Sequence, residues 1–280
     1  MNKNQKGFGH LGILVVVVVL AVVGLVGWKV LSKNKDADKT NNNQNSQTEE
    51  SEEPGKFIWQ QAEAGWRSTE TPPDCPAQPM LKAPADLSKV TSVLYPGQTR
   101  GSYKPHGGLR FDDSTDNKVT VKSPIDGYIV KATRNFAEGT TEVQYGFDIM
   151  NNCGVMTRFG HLRELPAKFQ AIVDKLPEPS ADSRIEFVNP PVYVKQGEVL
   201  ATKTGLTSEK NTFFDWGVYD YRQQNEASKS AAYKSAHPQG EHAWYAVCWL
   251  KDWLPASDAS VLSKLKAGAS ENAKASDYCK

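Results

Sequence analysis

The sequence predicts a mainly β protein, an antiparallel β sandwich or barrel with two accessory helices that follows an N-terminal transmembrane helix. Three observations predict it: an uncharged run near the N-terminus, short apolar runs separated by Gly, Pro, Asp and Asn from residue 90 onward, and two stretches with helical spacing. With 280 residues, 39% of them hydrophobic and 23% charged, the chain can bury one substantial core. Its formal net charge of +1 gives no reason to expect a nucleic acid as partner.

The N-terminal segment contains no Asp, Glu, Lys or Arg between Gly7 and Trp28. Such a run is long enough for a helix to cross ~30 Å of hydrocarbon. We therefore predict a retained single-pass membrane anchor over residues 1–31. A cleaved signal peptide is the alternative, because Lys3 and Lys6 precede the run; however, the run is long for a signal peptide and no Ala-x-Ala site follows it.

The stretch after the anchor changes composition twice. Residues 32–54 are rich in Asn, Gln, Ser, Lys and Glu with few apolar residues, which predicts a disordered polar linker. Residues 55–89 contain aromatic residues and a proline-rich run around Cys75 that cannot continue a helix or a central strand. We predict that this second stretch is a covering segment pinned through Cys75.

The β domain is predicted over residues 90–222. Its strand candidates are short runs of β-branched and aromatic residues bounded by turn residues, a pattern typical of antiparallel sandwiches and barrels. They are Val90–Tyr95, Leu109–Phe111, Lys118–Lys122, Gly127–Ala132, Glu142–Met150, Met156–Gly160, Val192–Val194, Val199–Thr202 and Phe213–Tyr221.

Apolar residues at helical spacing predict two helices, Pro166–Leu176 inside the β domain and Ser257–Lys266 after it. The second helix belongs to a C-terminal extension over residues 223–280. We expect both helices to be packing elements. His237 and His242 lie in a polar, proline-containing loop of the extension, and we expect them at the surface.

All four cysteines, Cys75, Cys153, Cys248 and Cys279, follow the anchor and form no C-x-x-C pair. An even number of cysteines without metal or redox spacing favours disulfides in an oxidising compartment, which places the body outside the cell. Four cysteines allow three pairings, and the sequence does not choose among them. We expect Cys75–Cys153 and Cys248–Cys279; four free thiols in a cytosolic domain are the alternative.

Six motifs follow one another through the β domain. They are Pro105-His106-Gly107-Gly108-Leu109, Ser123-Pro124-Ile125-Asp126-Gly127-Tyr128-Ile129, Gly154-Val155-Met156-Thr157-Arg158-Phe159-Gly160-His161-Leu162, Val194-Lys195-Gln196-Gly197-Glu198-Val199-Leu200-Ala201, Thr204-Gly205 and Trp216-Gly217-Val218-Tyr219. In this order they resemble M23 zinc metallopeptidases, the lysostaphin- and LytM-like enzymes that cut peptide cross-links in bacterial cell walls. The resemblance implies a β domain of the M23 type.

The same resemblance implies a set of site residues: His106, Arg110, His161, Phe213 and Asp215. His106 matches a metal ligand, whereas Arg110 stands where the family has a ligating carboxylate and Asp215 where it has the second ligating histidine. Phe213 replaces a catalytic histidine, and His161 matches a histidine that orients or stabilises the reacting group. Because a guanidinium cannot bind a cation, we expect no zinc or other cofactor; if a metal binds, the ligands available are His106 and Asp215.

Arg110 and Asp215 stand at two ligand positions of the resemblance, so both side chains should point to the place where the metal would lie. We therefore predict an ion pair between Arg110 and Asp215. The alternative is a solvated Arg110 with an Asp215 that caps a turn. His106 and His161 would then line a ligand groove, or serve only as hydrogen-bonded framework residues.

The resemblance and the altered ligands together imply a membrane-anchored, extracytoplasmic M23-like protein without peptidase activity, a binding or regulatory module of the cell envelope. Its expected partner is a cell-wall peptide or an envelope protein. One alternative is an active zinc-dependent peptidoglycan endopeptidase with atypical ligands. Another is a pilin-like surface subunit, because Lys6-Gly7-Phe8 resembles a prepilin processing site, although Gly12 stands where prepilins usually carry glutamate.

Overall fold

The computed structural model describes residues 55–63, 65–238, 242–268 and 275–279. The predicted anchor and the predicted polar linker lie outside these residues. Within the described part of the chain, no helix is both long and apolar enough to span a membrane.

The described residues form fourteen β-strands and three α-helices, numbered here in chain order. The strands are β1 (Trp59–Ala62), β2 (Gly65–Ser68), β3 (Ser92–Leu94), β4 (Gln98–Arg100), β5 (Ser102–Lys104), β6 (Gly107–Arg110), β7 (Lys118–Lys122), β8 (Gly127–Phe136), β9 (Val143–Met150), β10 (Val155–Arg163), β11 (Glu186–Val194), β12 (Val199–Thr204), β13 (Phe213–Asp220) and β14 (Lys266–Ala267). The helices are α1 (Ala167–Val173), α2 (Ala231–Ala236) and α3 (Ala256–Ser263).

Ten strands form one large mixed sheet. Its main path is β11-β8-β9-β10-β13-β6-β3-β14, and β12 pairs with both β10 and β7. The strands along this path pair antiparallel except β14, which runs parallel to β3. The hairpins β1-β2 and β4-β5 form two small sheets of their own. The prediction of a mainly β body is therefore confirmed.

Each of the nine predicted strands coincides with an observed strand, but two observed strands run well beyond the prediction. β8 continues to Phe136 and β11 begins at Glu186. The two strands pair in two stretches, with a shift of register between Phe187 and Val192. The prolines inside this shift lack an N–H for the ladder, which explains why the sequence pattern shows only the second stretch as a strand.

Both predicted helices are present, shortened to α1 and α3. Helix α2 is missing from the prediction because none of its residues is buried, so it has no apolar spacing to reveal it. The hairpins β1-β2 and β4-β5 are also missing from it. Their strands are only three or four residues long, too short to show a clear alternation.

The alternation of β13 decides which residues enter the core and which face the site. Phe214, Trp216 and Val218 point into the main core, where none is more than 1% exposed. Because successive side chains of a strand point to opposite faces, Phe213 and Asp215 lie on the other face of the sheet.

The C-terminal extension packs beside the strand that begins the site. The Trp249 ring lies 4.2 Å from that of Trp216, and the Tyr278 hydroxyl donates a 2.6 Å hydrogen bond to the carbonyl of Pro105. A disulfide joins Cys248 to Cys279 and ties the end of the chain to this packing.

The covering segment is tied to the sheet by the second disulfide, Cys75–Cys153. Next to it, the Trp59 indole N–H donates a 2.9 Å hydrogen bond to the carbonyl of Asn152. Both predicted cysteine pairings are confirmed. Since such bonds persist in oxidising compartments, the two disulfides indicate an extracytoplasmic location.

Candidate functional site

Three of the five predicted site residues meet at one carboxylate oxygen. The Nε2 atom of His106 lies 3.1 Å from Oδ2 of Asp215, and the Nε2 atom of His161 lies 3.3 Å from the same oxygen. These side chains are 15% (His106), 25% (His161) and 23% (Asp215) exposed. Two imidazoles therefore converge on a single carboxylate in a partly buried cluster, which we call the His-Asp-His cluster.

The sheet register places these residues. Asp215 lies in β13 opposite Gly108 of β6 on one side and Gly160 of β10 on the other, so neither neighbour puts a side chain over the carboxylate. His106 comes directly before β6 and reaches Asp215 from that edge. His161 follows Gly160 and reaches it from the opposite edge.

A β-bulge turns His161 toward the cluster. The pairing of β10 with β9 shifts register between Phe159 and Leu162, and His161 has a positive φ of 61°. Its backbone carbonyl accepts a hydrogen bond of 2.8 Å from the N–H of Gly205. Its other ring nitrogen, Nδ1, lies 2.6 Å from Oε1 of Gln144, which fixes the orientation of the ring.

Burial and charge set the protonation of the cluster. Burial lowers the pKa of His106, although Asp215 opposes this shift, so the imidazole is neutral near pH 7. Burial alone would raise the pKa of Asp215, but the two histidines outweigh it and hold this pKa well below its usual range. The cluster therefore carries a permanent carboxylate charge at neutral pH.

Arg110 takes no part in the cluster, and the predicted ion pair with Asp215 is wrong. Its Nη2 atom lies 2.9 Å from Oδ1 of Asp112, and its guanidinium carbon lies 6.0 Å from the centre of the Phe213 ring. Arg110 pairs in register with Phe213, two pairs away from the pairing of Asp215 with Gly108. The nearer carboxylate of Asp112 takes the guanidinium, while Asp215 is satisfied by the two imidazoles.

Phe213 packs against the cluster from the side. The centre of its ring lies 4.3 Å from that of His161. The residue that replaces a histidine in the resemblance therefore supports the imidazole of His161 through ring contact, and it offers no proton donor or acceptor.

As a zinc site, the cluster is incomplete. Zinc needs three or four donors that converge at about 2.0–2.3 Å on one point. No group of three or more His, Cys, Asp or Glu residues with a metal-binding arrangement occurs among the described residues. Arg110, which the resemblance aligns with a carboxylate ligand, has a fixed positive charge and cannot bind a cation. The side chains as arranged do not fit a three-ligand metal centre.

A cavity of about 440 Å³ opens over the cluster. Gly146 and Gly160 contribute to its lining. A Cβ atom at Gly146 would lie 2.7 Å from both the Phe159 carbonyl oxygen and the Thr133 hydroxyl, so only glycine fits there. A Cβ atom at Gly160 would make an ordinary contact of 3.4 Å with Cβ of Asp215. The missing side chains leave the space above Asp215 open.

Polar residues that the sequence analysis overlooks line the rest of this cavity. Lys131, Asp148 and Arg158 share one row across β8, β9 and β10, since Asp148 pairs in register with both of the others. Gln144 lies on the same face of β9, four residues before Asp148. Polar residues at even spacing in a strand otherwise buried on both faces are the signal that could have identified them.

Two further histidines among the described residues, His237 and His242, also differ from expectation. The ring of His237 lies 3.9 Å from that of Tyr103. The ring of His242 lies 4.6 Å from that of Tyr219, and its Nε2 atom is buried without a hydrogen-bond partner among the described residues. The surface position expected for His242 is therefore wrong, because its ring packs against Tyr219 of β13 and its Nε2 atom is buried.

A larger cavity, of about 1220 Å³, lies elsewhere, next to Val90, Phe111 and Lys203. None of the five predicted site residues lines it. The smaller cavity, which contains the His-Asp-His cluster, is therefore the candidate functional site.

Fold and site together define a mainly β, disulfide-bonded extracytoplasmic protein with a polar cavity over a buried carboxylate. Compared with protein-family models, with curated proteins and with solved structures, the chain matches none.

Proposed function

We propose that this chain is a membrane-anchored, extracytoplasmic protein with an M23-like β domain that lacks peptidase activity and binds a ligand of the cell envelope. The expected ligand is a cell-wall peptide or an envelope protein. The membrane anchor of the proposal is residues 1–31, which contain the run without charged residues from Gly7 to Trp28, and the extracytoplasmic placement agrees with the two disulfides.

One observation carries the proposal: both imidazoles of the site are engaged by the same oxygen of Asp215. A hydrolytic metal centre needs donors that are free to bind the ion and an open position for water. In this cluster the carboxylate supplies the negative charge that the imidazoles contact, and Arg110 is turned away to Asp112. The open, polar cavity above remains suited to binding.

The chemistry of the cavity suits a peptide. Its lining offers carboxylates and a glutamine oxygen as acceptors, and lysine and arginine side chains as donors. A peptide backbone presents both N–H donors and C=O acceptors, so it can use both kinds of group.

The proposal is tested with the full-length protein, isolated cell-wall sacculi and metal analysis. We expect the protein to sediment with sacculi, to release no soluble wall fragments and to contain no stoichiometric zinc. Stoichiometric zinc whose removal by a chelator abolishes wall lysis would instead establish the alternative, an endopeptidase with His106 and Asp215 as ligands. Loss of seven N-terminal residues, seen by intact mass, would support the pilin-like alternative.

A substitution in the lining of the cavity locates the binding. In Gly160→Ala, the added methyl group contacts Asp215 at an ordinary distance, so we expect the protein to fold normally. The narrowed cavity should weaken binding to sacculi by about tenfold or more, the usual effect of one excess methyl group in a fitted pocket. Gly55→Ala is the matched control, because a Cβ atom there has no neighbour within 4 Å. Equal binding by both variants would place the ligand elsewhere.

A further inference from the structure

Arg158 is a partly buried charged group of the cavity whose ion contact is long. Its closest carboxylate contact is 3.9 Å, from its Nε atom to Oδ1 of Asp148, which is too long for a hydrogen bond. Among the described residues, its guanidinium donates no hydrogen bond. The side chain is only 28% exposed, so bulk water reaches just part of it. A guanidinium has five N–H donors, and most of them are available to a ligand.

Lys131, which lies in the same row as Arg158, is held in place by two aromatic rings. Lys131 is 5% exposed, and its ammonium group lies 5.2 Å from the ring of Trp66 and 5.3 Å from the ring of Phe187. These two aromatic faces stabilise the cation where it is. Asp148 lies between Lys131 and Arg158 in the sheet register. The row therefore carries two positive charges and one negative charge, a net charge of +1.

Burial opposes the charge on Arg158 and would lower its pKa, but nearby Asp148 and Asp215 outweigh it and raise this pKa. The guanidinium therefore stays charged. Arg158 lines the same cavity as His161 and Asp215, and so it faces the space that a ligand would occupy.

We propose that Arg158 forms a carboxylate-binding subsite, in which its guanidinium fork receives a free carboxylate of a peptide ligand in the cavity over the His-Asp-His cluster. A planar guanidinium matches a carboxylate with two parallel hydrogen bonds, which gives both strength and orientation. The peptide nature of the ligand rests on the proposed function; the need for a carboxylate rests on Arg158 alone.

The carboxylates of Asp148 and Asp215 in the same cavity repel any anion, and this repulsion grows with the charge of the anion. A phosphate with two negative charges is therefore repelled more strongly than a carboxylate with one, so the cavity favours a singly charged ligand group. Gln144 and Asp215 in the same cavity can accept hydrogen bonds from the amide N–H groups that precede a peptide carboxylate.

The test compares two small probes that differ only in this charge, N-acetyl-alanyl-alanine and its C-terminal amide, titrated into the full-length protein by calorimetry. We expect the acid to bind at least about tenfold more tightly than the amide. In Arg158→Gln, affinity for the acid should fall about 10- to 100-fold, the range of a charge-assisted hydrogen bond, while affinity for the amide stays unchanged. Inorganic phosphate should compete poorly with the acid.

The matched control is Arg184→Gln. Arg184 lies between two residues that line the cavity, but its side chain is 54% exposed and pairs with Asp182 at 3.4 Å. The control removes the same charge near the cavity without touching the subsite, so both affinities should remain as in the parent protein. If Arg184→Gln and Arg158→Gln lower the affinity for the acid equally, the effect comes from long-range electrostatics and the subsite is disproved.

Two further variants separate binding from folding. Arg158→Lys keeps the charge but not the fork, so we expect an intermediate affinity for the acid. The double variant Arg158→Gln/Asp148→Asn removes both the arginine and the carboxylate that it contacts, so neither charge of this pair is left alone. Circular dichroism would establish that the double variant folds. An unchanged preference for the acid in this folded double variant, or equal competition by phosphate, would overturn the proposal.

The two proposals fail in different ways. If sacculi do not bind but the acid still binds through Arg158, the envelope function is wrong and the subsite stands. If sacculi bind the parent protein and Arg158→Gln equally well and the two probes bind alike, the subsite is wrong and the envelope function stands.

Discussion

At the scale of single residues, Asp215 determines what the site is. Its oxygen Oδ2 contacts both His106 and His161, and the two glycines opposite it leave space above. A carboxylate with two imidazole partners in a partly buried place is stabilised in its charged form. Without those partners, burying the charged carboxylate would cost folding free energy.

We expect Asp215→Asn to destabilise the protein by about 1–3 kcal/mol at pH 7, because the amide oxygen that replaces Oδ2 carries no charge and so makes weaker hydrogen bonds with the two imidazoles. Urea unfolding measures this loss. Asp112→Asn is the control, since Asp112 is 39% exposed in its pair with Arg110 and its loss should cost less than about 1 kcal/mol. Equal losses in both variants would mean that the cluster contributes no more than a surface ion pair.

The residues of the site differ in how far the sequence reveals them. His106 and His161 could be found because they stand in motifs with turn residues around them. Arg110 was assigned the wrong partner, because the sequence shows the strand but not which of two carboxylates the flexible side chain reaches. Lys131 and Arg158 were overlooked because they meet through the pairing of three strands, and no local pattern records that pairing.

At the scale of elements, the C-terminal extension supports the site from outside the β domain. The final segment bonds back to the turn before β4, where the N–H of Asp277 donates to the Gly97 carbonyl at 3.0 Å. The Ser276 hydroxyl donates to the carbonyl of Pro96 at 2.6 Å. These bonds and the Cys248–Cys279 disulfide fix the strands that lead to His106.

Cys248→Ser should therefore destabilise the protein by about 2–4 kcal/mol, because the bridge closes a loop with a sequence separation of 31 residues in the unfolded chain. Chemical denaturation under non-reducing conditions measures this change. Cys279→Ser removes the same bridge and should give the same loss. Unequal losses in the two variants, or no measurable loss in either, would contradict this account.

Strands are predicted best where an apolar run is bounded by turn residues. Strands β8, β9 and β13 are mostly buried on both faces, and their apolar runs stand out in the sequence. Helix α2 and the short hairpins were not predicted, because few or none of their residues are buried and their stability comes from contacts with distant segments. Strand β11 was predicted only in its second half, after its two prolines.

At the scale of the whole molecule, buried histidines make stability depend on pH. Burial lowers the pKa of His242 well below its usual value of 6.5, with further lowering by Arg158, Lys131 and His106. The pKa of His106 is also lowered. The unfolded chain therefore binds more protons than the folded protein below about pH 6.5, and stability must fall as the pH decreases through this range.

We expect each of the two histidines to contribute a slope of at most about 1.4 kcal/mol per pH unit below pH 6.5, with little change above pH 7. The larger share comes from His242, because its pKa is lowered well below the usual value. The depressed pKa of Asp215 adds a further loss only below about pH 4. His242→Phe keeps the ring contact with Tyr219 and removes this titrating group, so it should clearly reduce the slope between pH 6 and pH 5. Urea unfolding across this range measures it; an unchanged slope would show that His242 does not titrate on unfolding.

The positions of the two disulfides divide the chain into covalently independent halves. One bridge closes residues 75–153 and the other closes residues 248–279, while the exposed loop at Arg184 lies inside neither. A trypsin cut there would release two fragments without any reductant. The first fragment carries His106 and His161, and the second carries Asp215. The candidate site is thus shared between two separable pieces, and its reassembly from them could serve as a split reporter of folding in the compartment where the protein resides.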